Sequence, residues 1–334
     1  MAEINEVRRR MDTVVLSHAL YKDGMDVLEG KVDMVITNNG KSDEILEELK
    51  KADGFILRIG KIDRKAIEAC PGLRVITRTG VGCDNVDLKA ATENGIPVVF
   101  CPTQHARAVA EHTLAMIFAL SKNLIESHNE TLKGNFNIRN KYQAVDVKAK
   151  TVSIVGFGNI GKELASLCKG IGMDVLICDS LKKKEMVEKQ GYRFTDKLSE
   201  AIAAADYLSL NIPYRPETKD IISKPQLDLM KKSAFLLNCA RGELVNEKDL
   251  HDALFEKKIA GAAIDVMQVE PIQKEHPLLS LDNIIVTPHM APLTKETTAE
   301  IVKIAAEGTL AVLSGQKWPY VANPEVYDHP RWNS

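Results

Sequence analysis

The sequence predicts an α/β protein made of two doubly wound parallel sheets. Three observations carry that prediction. Short apolar runs alternate with helix-forming segments through both halves of the chain. A length of 334 residues suggests two domains, at about 150 residues each. A strand, a glycine-rich turn and a helix start, "SIVGFGNIGKELA", stand near the middle of the chain rather than at its beginning.

The elements follow in order. "TVVLSHA" reads as a strand and "YKDGMDVLEG" follows it. "VDMVITNN" is a second strand, then "SDEILEELKKA" a helix with a Ser/Asp start and an acidic first turn. "DGFILRIG" is a strand, and "DRKAIEAC" a helix that stops before Pro71. "LRVITRTG" is a strand, "NVDLKAATENG" a helix ending at Gly95, and "IPVVFC" a fifth strand. Apolar strands with helices between them imply a parallel sheet covered on both faces. "HARAVAEHTLAMIFALSKNLIESHNETL" is long, apolar-periodic and free of Gly and Pro, so it reads as an unbroken bridge between two lobes. Six more strands follow: "TVSIVGF", "DVLICD", "DYLSLNI", "AFLLNCA", "GAAIDV" and "NIIVTPH". The last long helix is "TKETTAEIVKIAAEGTLAVLSG", and Trp318 and Trp332 flank a Pro-rich tail that reads as folding back on the first lobe.

Composition excludes several function classes. A formal net charge of −2 leaves no basic excess for a nucleic acid. The run Lys182-Lys183-Lys184 reads as a solvated helix face. No apolar stretch is of membrane-spanning length, and the charged start "MAEINEVRRRMDTVVL" has no signal-peptide core. The six cysteines are scattered and no Cys/His set has metal spacing, so no metal is expected and a reduced, cytoplasmic compartment fits. His112, in the bridging helix, reads as packed or capping.

The turn Gly156-Phe157-Gly158-Asn159-Ile160-Gly161 specifies a dinucleotide. The first glycine allows the tight turn, the second lets the backbone approach a pyrophosphate, and the third lets helix and strand pack closely. Amides at the helix start, including those of Asn159 and Ile160, face the phosphates. Asp179 ends the next strand about 20 positions on, where a carboxylate accepts from the ribose 2′-OH of NAD and repels the 2′-phosphate of NADP. The cofactor expected is NAD, with lysines 182 to 184 close enough to soften that preference.

Hydride transfer to a carbonyl needs a proton donor, and an acid substrate needs a cation. Arg241, Glu270 and His289 each follow an apolar strand beyond the cofactor motif, and ligands bind at the carboxyl ends of parallel strands. A guanidinium grips a carboxylate with two hydrogen bonds. A histidine titrates near neutral pH, and a carboxylate partner fixes its tautomer.

With these residues in place, the chain resembles the D-isomer-specific 2-hydroxyacid dehydrogenase family over nearly its whole length. The likeness is greatest to the phosphoglycerate dehydrogenase and hydroxypyruvate/glyoxylate reductase branches. It is carried by "RTGVGCDNVDLKAA", "VAEHTLAMIFAL", "IVGFGNIGKELA", "NCARGELVNEKDL", "AGAAIDVMQVEP" and "NIIVTPHMAPLTKE". The resemblance implies two Rossmann-like or flavodoxin-like domains with the active-site cleft between them. Residues 1–104 plus 296–334 would form the substrate-binding domain and residues 105–295 the NAD-binding one. It implies that Arg241 binds and polarises the substrate, that His289 is the acid/base and that Glu270 orients it. Cys239, Ala240, Arg241, Asp265 and His289 would position the nicotinamide end, with Ile212 and Pro213 beside the cofactor. Gly80, Val81 and Gly82 would receive the substrate carboxylate, and Arg58 and Arg78 lie where phosphoglycerate dehydrogenases carry substrate arginines.

The chain departs from that pattern in two places. The family's "VRSAT"-like segment is here "LRIGK", with Lys61 as an added cation, and Asn211 stands where the family often has His. The reading is therefore a reversible NADH-dependent reduction of a small 2-oxoacid, phosphorylated or not, by a homodimer joined through the bridging-helix region. Serine feedback through added C-terminal domains is not expected. The alternative is an NAD-sensing, corepressor-like interaction protein without turnover. A formate dehydrogenase would carry Gln where Glu270 stands.

Overall fold

The computed structural model describes residues 10–102, 105–141 and 144–332. The start of the charged N-terminal segment, residues 1–9, lies outside the described residues. The chain divides into two units, Met1–Gln104 with Thr294–Ser334, and His105–Leu293.

The first unit holds strands β1 (Thr13–Leu16), β2 (Asp33–Ile36), β3 (Gly54–Leu57), β4 (Val75–Arg78) and β5 (Val98–Val99). All pair in parallel in the order β2-β1-β3-β4-β5, a flavodoxin-like order. The central strand β3 is buried along its length, while β2, at the edge, is largely exposed. That is why "GFIL" is an unbroken apolar run: both faces of a central parallel strand are covered. Phe55, Ile56 and Leu57 have no exposed surface, and each contributes about 2 kcal/mol by leaving water.

Four short helices connect these strands: α1 (Lys22–Leu28), α2 (Leu46–Leu49), α3 (Arg64–Glu68) and α4 (Leu88–Glu93). Asp63 and Asp87 cap the last two by accepting from Ala66 N and Ala90 N. The segment "SDEILEELKKA" is helical only over Leu46–Leu49; turns occupy the residues before it. The unit is completed by the last long helix, which lies against α1, β3 and β4. There the Thr77 and Thr309 hydroxyls pair at 2.6 Å in a fully buried site. The C-terminal tail does fold back: Ala322 N donates to Val98 O, and Trp332 Nε1 to Gly95 O.

The second unit opens with α5 (Ala106–Ser121) and α6 (Leu124–Leu132). The sequence reads as one unbroken bridge here, but the structure breaks it at Asn123, which is left-handed at φ 51°. Asparagine tolerates that conformation far better than most residues, so the break needs neither Gly nor Pro. The strands are β6 (Thr151–Val155), β7 (Asp174–Cys178), β8 (Arg193–Thr195), β9 (Tyr207–Leu210), β10 (Phe235–Asn238), β11 (Gly261–Ile264) and β12 (Ile284–Val286). They run parallel in the order β12-β11-β10-β9-β6-β7-β8. This is the dinucleotide-binding order 3-2-1-4-5-6, extended at one edge by β12; the sequence reads as six strands, and β8 is the one it does not show. Its helices are α7 (Asn159–Gly170), α8 (Lys184–Lys189), α9 (Leu198–Ala204), α10 (Lys224–Leu227) and α11 (Glu247–Phe255). The last long helix of the first unit is α12 (Lys295–Leu313), capped by Thr294. The chain order reverses between β6 and β9, and such a switch point opens a crevice at the carboxyl ends of the strands. No helix among the described residues is long and apolar enough to cross a membrane.

Candidate active site

The turn after β6 is shaped by its glycines. Gly156 has φ +103°, and a Cβ there would lie 2.4 Å from Asn211 O, just beyond β9. Only glycine fits, and the same contact brings Ile212 against the turn. A Cβ on Gly161 would lie 2.1 Å from Gly156 O, so the first turn of α7 can sit this close to the strand only without a side chain. At Gly158, the residue before α7, a Cβ would meet nothing within 4 Å. An approachable backbone at a helix start, followed by Asn159 and Ile160, fits a pyrophosphate. Pro213 follows Ile212 on the same stretch beyond β9.

Asp179 follows β7 and meets this turn. Its Oδ2 accepts from Phe157 N at 2.7 Å and from Lys183 Nζ at 2.9 Å, and its Oδ1 accepts from Ser180 N at 2.7 Å. Burial pushes this carboxyl up, but those hydrogen bonds and the lysine charge outweigh it and hold the group below the ordinary aspartate value. Lys183 is thus not part of a fully solvated face.

Three further strand ends carry the remaining polar groups. After β10 come Cys239, Ala240 and Arg241. Burial pushes the Cys239 thiol up to about 12, and its sulfur lies 3.8 Å from Met116 Sδ. Arg241 Nη1 donates to Ala240 O at 2.7 Å. After β11 comes Asp265, only 1% exposed. Its Oδ1 accepts from Thr287 Oγ1 at 2.5 Å and from Met290 N at 2.9 Å, and its Oδ2 from Ala291 N at 2.9 Å. Its backbone oxygen accepts from His289 N at 2.7 Å. Asp265 therefore ties down the loop that carries His289, whose own backbone is left-handed at φ 51°. His112, on α5, reaches the same group through Thr287 Oγ1 at 3.2 Å.

His289 Nδ1 lies 2.7 Å from Glu270 Oε2. The other carboxylate oxygen, Oε1, accepts from Met267 N at 3.0 Å. Burial pushes Glu270 up, yet the hydrogen bonds from His289 and Met267, with the charges of His289 and Arg241, hold it below its ordinary value. An ionised Glu270 accepts a hydrogen bond from the Nδ1–H of His289, which leaves Nε2 as the imidazole atom for proton exchange. The second unit thus brings Arg241, Glu270 and His289 to neighbouring strand ends. Sequence reasoning missed the partners that fix them: the Met267 amide, Thr287 and His112. None has a pattern of its own; only the parallel neighbours β11 and β12 bring 265 and 287 together.

In the first unit, Arg58 follows β3 and Arg78 ends β4. Arg58 donates to Ala19 O and Tyr21 Oη, both at 3.0 Å, and its guanidinium lies 4.6 Å from the Tyr21 ring centre. Arg78 donates to Arg58 O, Thr79 O and Asn85 Oδ1. In the glycine turn, Gly80 N donates to Arg78 O. No group of three or more His, Cys, Asp or Glu residues that could hold a metal ion occurs among the described residues.

Comparison with known proteins places these features. The D-isomer specific 2-hydroxyacid dehydrogenase NAD binding domain matches residues 114–291. The D-3-phosphoglycerate dehydrogenase of Methanocaldococcus jannaschii is 37% identical over 314 residues, 94% of this chain and 60% of that protein. This chain thus spans about 60% of that relative's length. The glyoxylate reductase of Korarchaeum cryptofilum is 34% identical over 286 residues, 84% of this chain and 86% of that one. The crystal structure of the TT0316 protein from Thermus thermophilus matches with a TM-score of 0.84 at 31% identity, covering 93% of this chain and 99% of that one.

Proposed function

From the premise that the chain belongs to the D-isomer specific 2-hydroxyacid dehydrogenases, with NAD(H) as its cofactor, we propose that it interconverts a small 2-oxoacid and its D-2-hydroxy acid. The observation that carries the reading is the 2.7 Å contact between His289 Nδ1 and Glu270. An imidazole clamped at Nδ1 by a carboxylate is poised to exchange a proton at Nε2.

The turn from Gly156 through Gly158, Asn159 and Ile160 to Gly161 holds the pyrophosphate, and Asp179 the adenosine ribose. Ile212, Pro213, Cys239, Ala240 and Asp265 line the nicotinamide half. The bound nicotinamide supplies the hydride. Arg241 grips the substrate carboxylate and polarises the carbonyl. His289 delivers its proton to the oxygen as negative charge grows there, and takes it back in the oxidative direction. Glu270 stabilises the imidazolium and holds the ring plane. On the first unit, Arg58, Arg78 and the turn Gly80-Val81-Gly82 serve as substrate contacts, the turn through its backbone amides.

The same reading includes a cytoplasmic homodimer. The six cysteines are free thiols, which suits a reducing compartment. Helix α6 buries none of its residues, and Leu124, Ile125, Leu132 and Phe136 on and just after it are exposed apolar side chains, Leu132 at 75% and Phe136 at 68%, which suits a second copy.

The test is NADH consumption with 3-phosphohydroxypyruvate, hydroxypyruvate, glyoxylate and pyruvate. A preference for the phosphorylated acid makes Arg58, Arg78 and Lys61 phosphate contacts; a preference for an unphosphorylated acid makes the protein a hydroxypyruvate- or glyoxylate-type reductase. NADH binding with no turnover on any of them contradicts the enzymatic reading.

A further inference from the structure

The ribose end of the cofactor site contains a cation that the fingerprint does not call for. Lys183 Nζ lies 2.9 Å from Asp179 Oδ2 and 3.2 Å from Phe157 O, so the ammonium bridges the carboxylate and the glycine turn. It is held there although its side chain is 36% exposed, and Asp179 is 14% exposed. A carboxylate offers roughly four lone-pair positions. Phe157 N, Ser180 N and Lys183 take three of them, which leaves one for a ribose hydroxyl.

An unpaired aspartate at this place excludes NADP by charge repulsion. Here the aspartate charge meets a contact ammonium, and Lys182 and Lys184 flank it in sequence. Lys184 is loosely paired with Glu188, at 3.9 Å. A lysine is also a mobile donor, a compact charge on a four-carbon stem. Two of the three N–H groups of Lys183 hold Asp179 and Phe157 O, and the third is left to donate to an oxygen at the ribose 2′ position while the carboxylate stays paired.

We propose that Lys183 is a cofactor-specificity residue: its ammonium neutralises Asp179 and accepts a 2′-phosphate, so that the protein binds NADPH as well as NADH. The proposal rests on the dinucleotide reading of the turn from Gly156 to Gly161. With NADH, the ammonium remains on Asp179 and the free carboxylate position takes a ribose hydroxyl. With NADPH, it forms a charge-assisted hydrogen bond to the phosphate.

The experiment is calorimetric titration of NADH and NADPH, without substrate, into the wild-type chain and the Lys183→Ala and Lys183→Arg proteins. NADPH should bind the wild type within about tenfold of NADH. Lys183→Ala should weaken NADPH about tenfold or more and NADH no more than about threefold, while Lys183→Arg keeps the charge and keeps NADPH binding. Added salt should weaken NADPH more than NADH. NADPH more than about a hundredfold weaker than NADH in the wild type overturns the proposal and leaves the NADH site standing. Equal losses for both cofactors in Lys183→Ala also overturn it, since they mark a structural role. Failure of both cofactors to bind the wild type defeats the dinucleotide reading itself, and this inference with it.

Discussion

His289 and Glu270 divide the proton chemistry between them, and single substitutions separate their parts. His289→Ala removes the proton donor and should cut turnover about a thousandfold with NADH affinity retained, as steady-state rates and a binding titration will show. Glu270→Gln keeps the hydrogen-bond reach but not the charge. The substitution should therefore lower turnover about tenfold or more while leaving NADH affinity unchanged, as steady-state rates and a binding titration will show. Both Glu270 and Asp179 are held below their ordinary values in the fold. What they contribute to stability is present above the unfolded carboxyl range and is lost as pH falls through their folded values. Asp179→Asn should accordingly flatten the acid side of the stability–pH curve, read from denaturation midpoints between about pH 5 and pH 3. The thiols give an independent check on packing. Burial pushes Cys101, Cys168 and Cys239 up to about 12 and Cys178 up to about 11, and it raises Cys70 as well. A thiol reagent should label about one cysteine quickly in the native protein, the partly exposed Cys83, and all six after denaturation.

At the level of elements, the turn between β6 and α7 is the most constrained piece of chain. Gly161→Ala sets a methyl group 2.1 Å from Gly156 O. Relieving that contact should cost about 2–3 kcal/mol by chemical denaturation and weaken NADH binding, because α7 must withdraw from the strand. This turn was legible in the sequence because Gly156 and Gly161 occupy places that no side chain fits, and Gly158 falls between them at the helix start. Arg241, Glu270 and His289 were legible for a related reason: each follows an apolar run, and a run that ends in a polar residue marks a strand end. The break at Asn123 was not legible, since one left-handed asparagine leaves no composition signal. Nor was β8, whose three residues are too few to show a period and lie at the sheet edge. The ties from Asp265 to Thr287 and His112 were hidden as well, because they join residues far apart in the chain.

At the scale of the molecule, two parallel sheets arise from one rule applied twice: apolar strands buried on both faces and joined by helices. The sequence shows this because the fully buried strands β3, β9 and β11 read as apolar runs, whereas the exposed edge strand β2 is held to its register by β1. Association of two copies is a prediction at this scale. Replacing both Leu132 and Phe136 by Glu should convert a dimer to a monomer in light scattering; a wild-type chain that is already monomeric would remove α6 from the account. The central claim is that a proton from His289 accompanies hydride transfer to a 2-oxoacid. The most direct measurement compares NADH consumption by the wild type and by His289→Ala, on the best acid of the panel, with NADH binding titrated for both. The account predicts turnover in the wild type, its near-complete loss in the variant and equal NADH binding. Undiminished turnover in His289→Ala would contradict it.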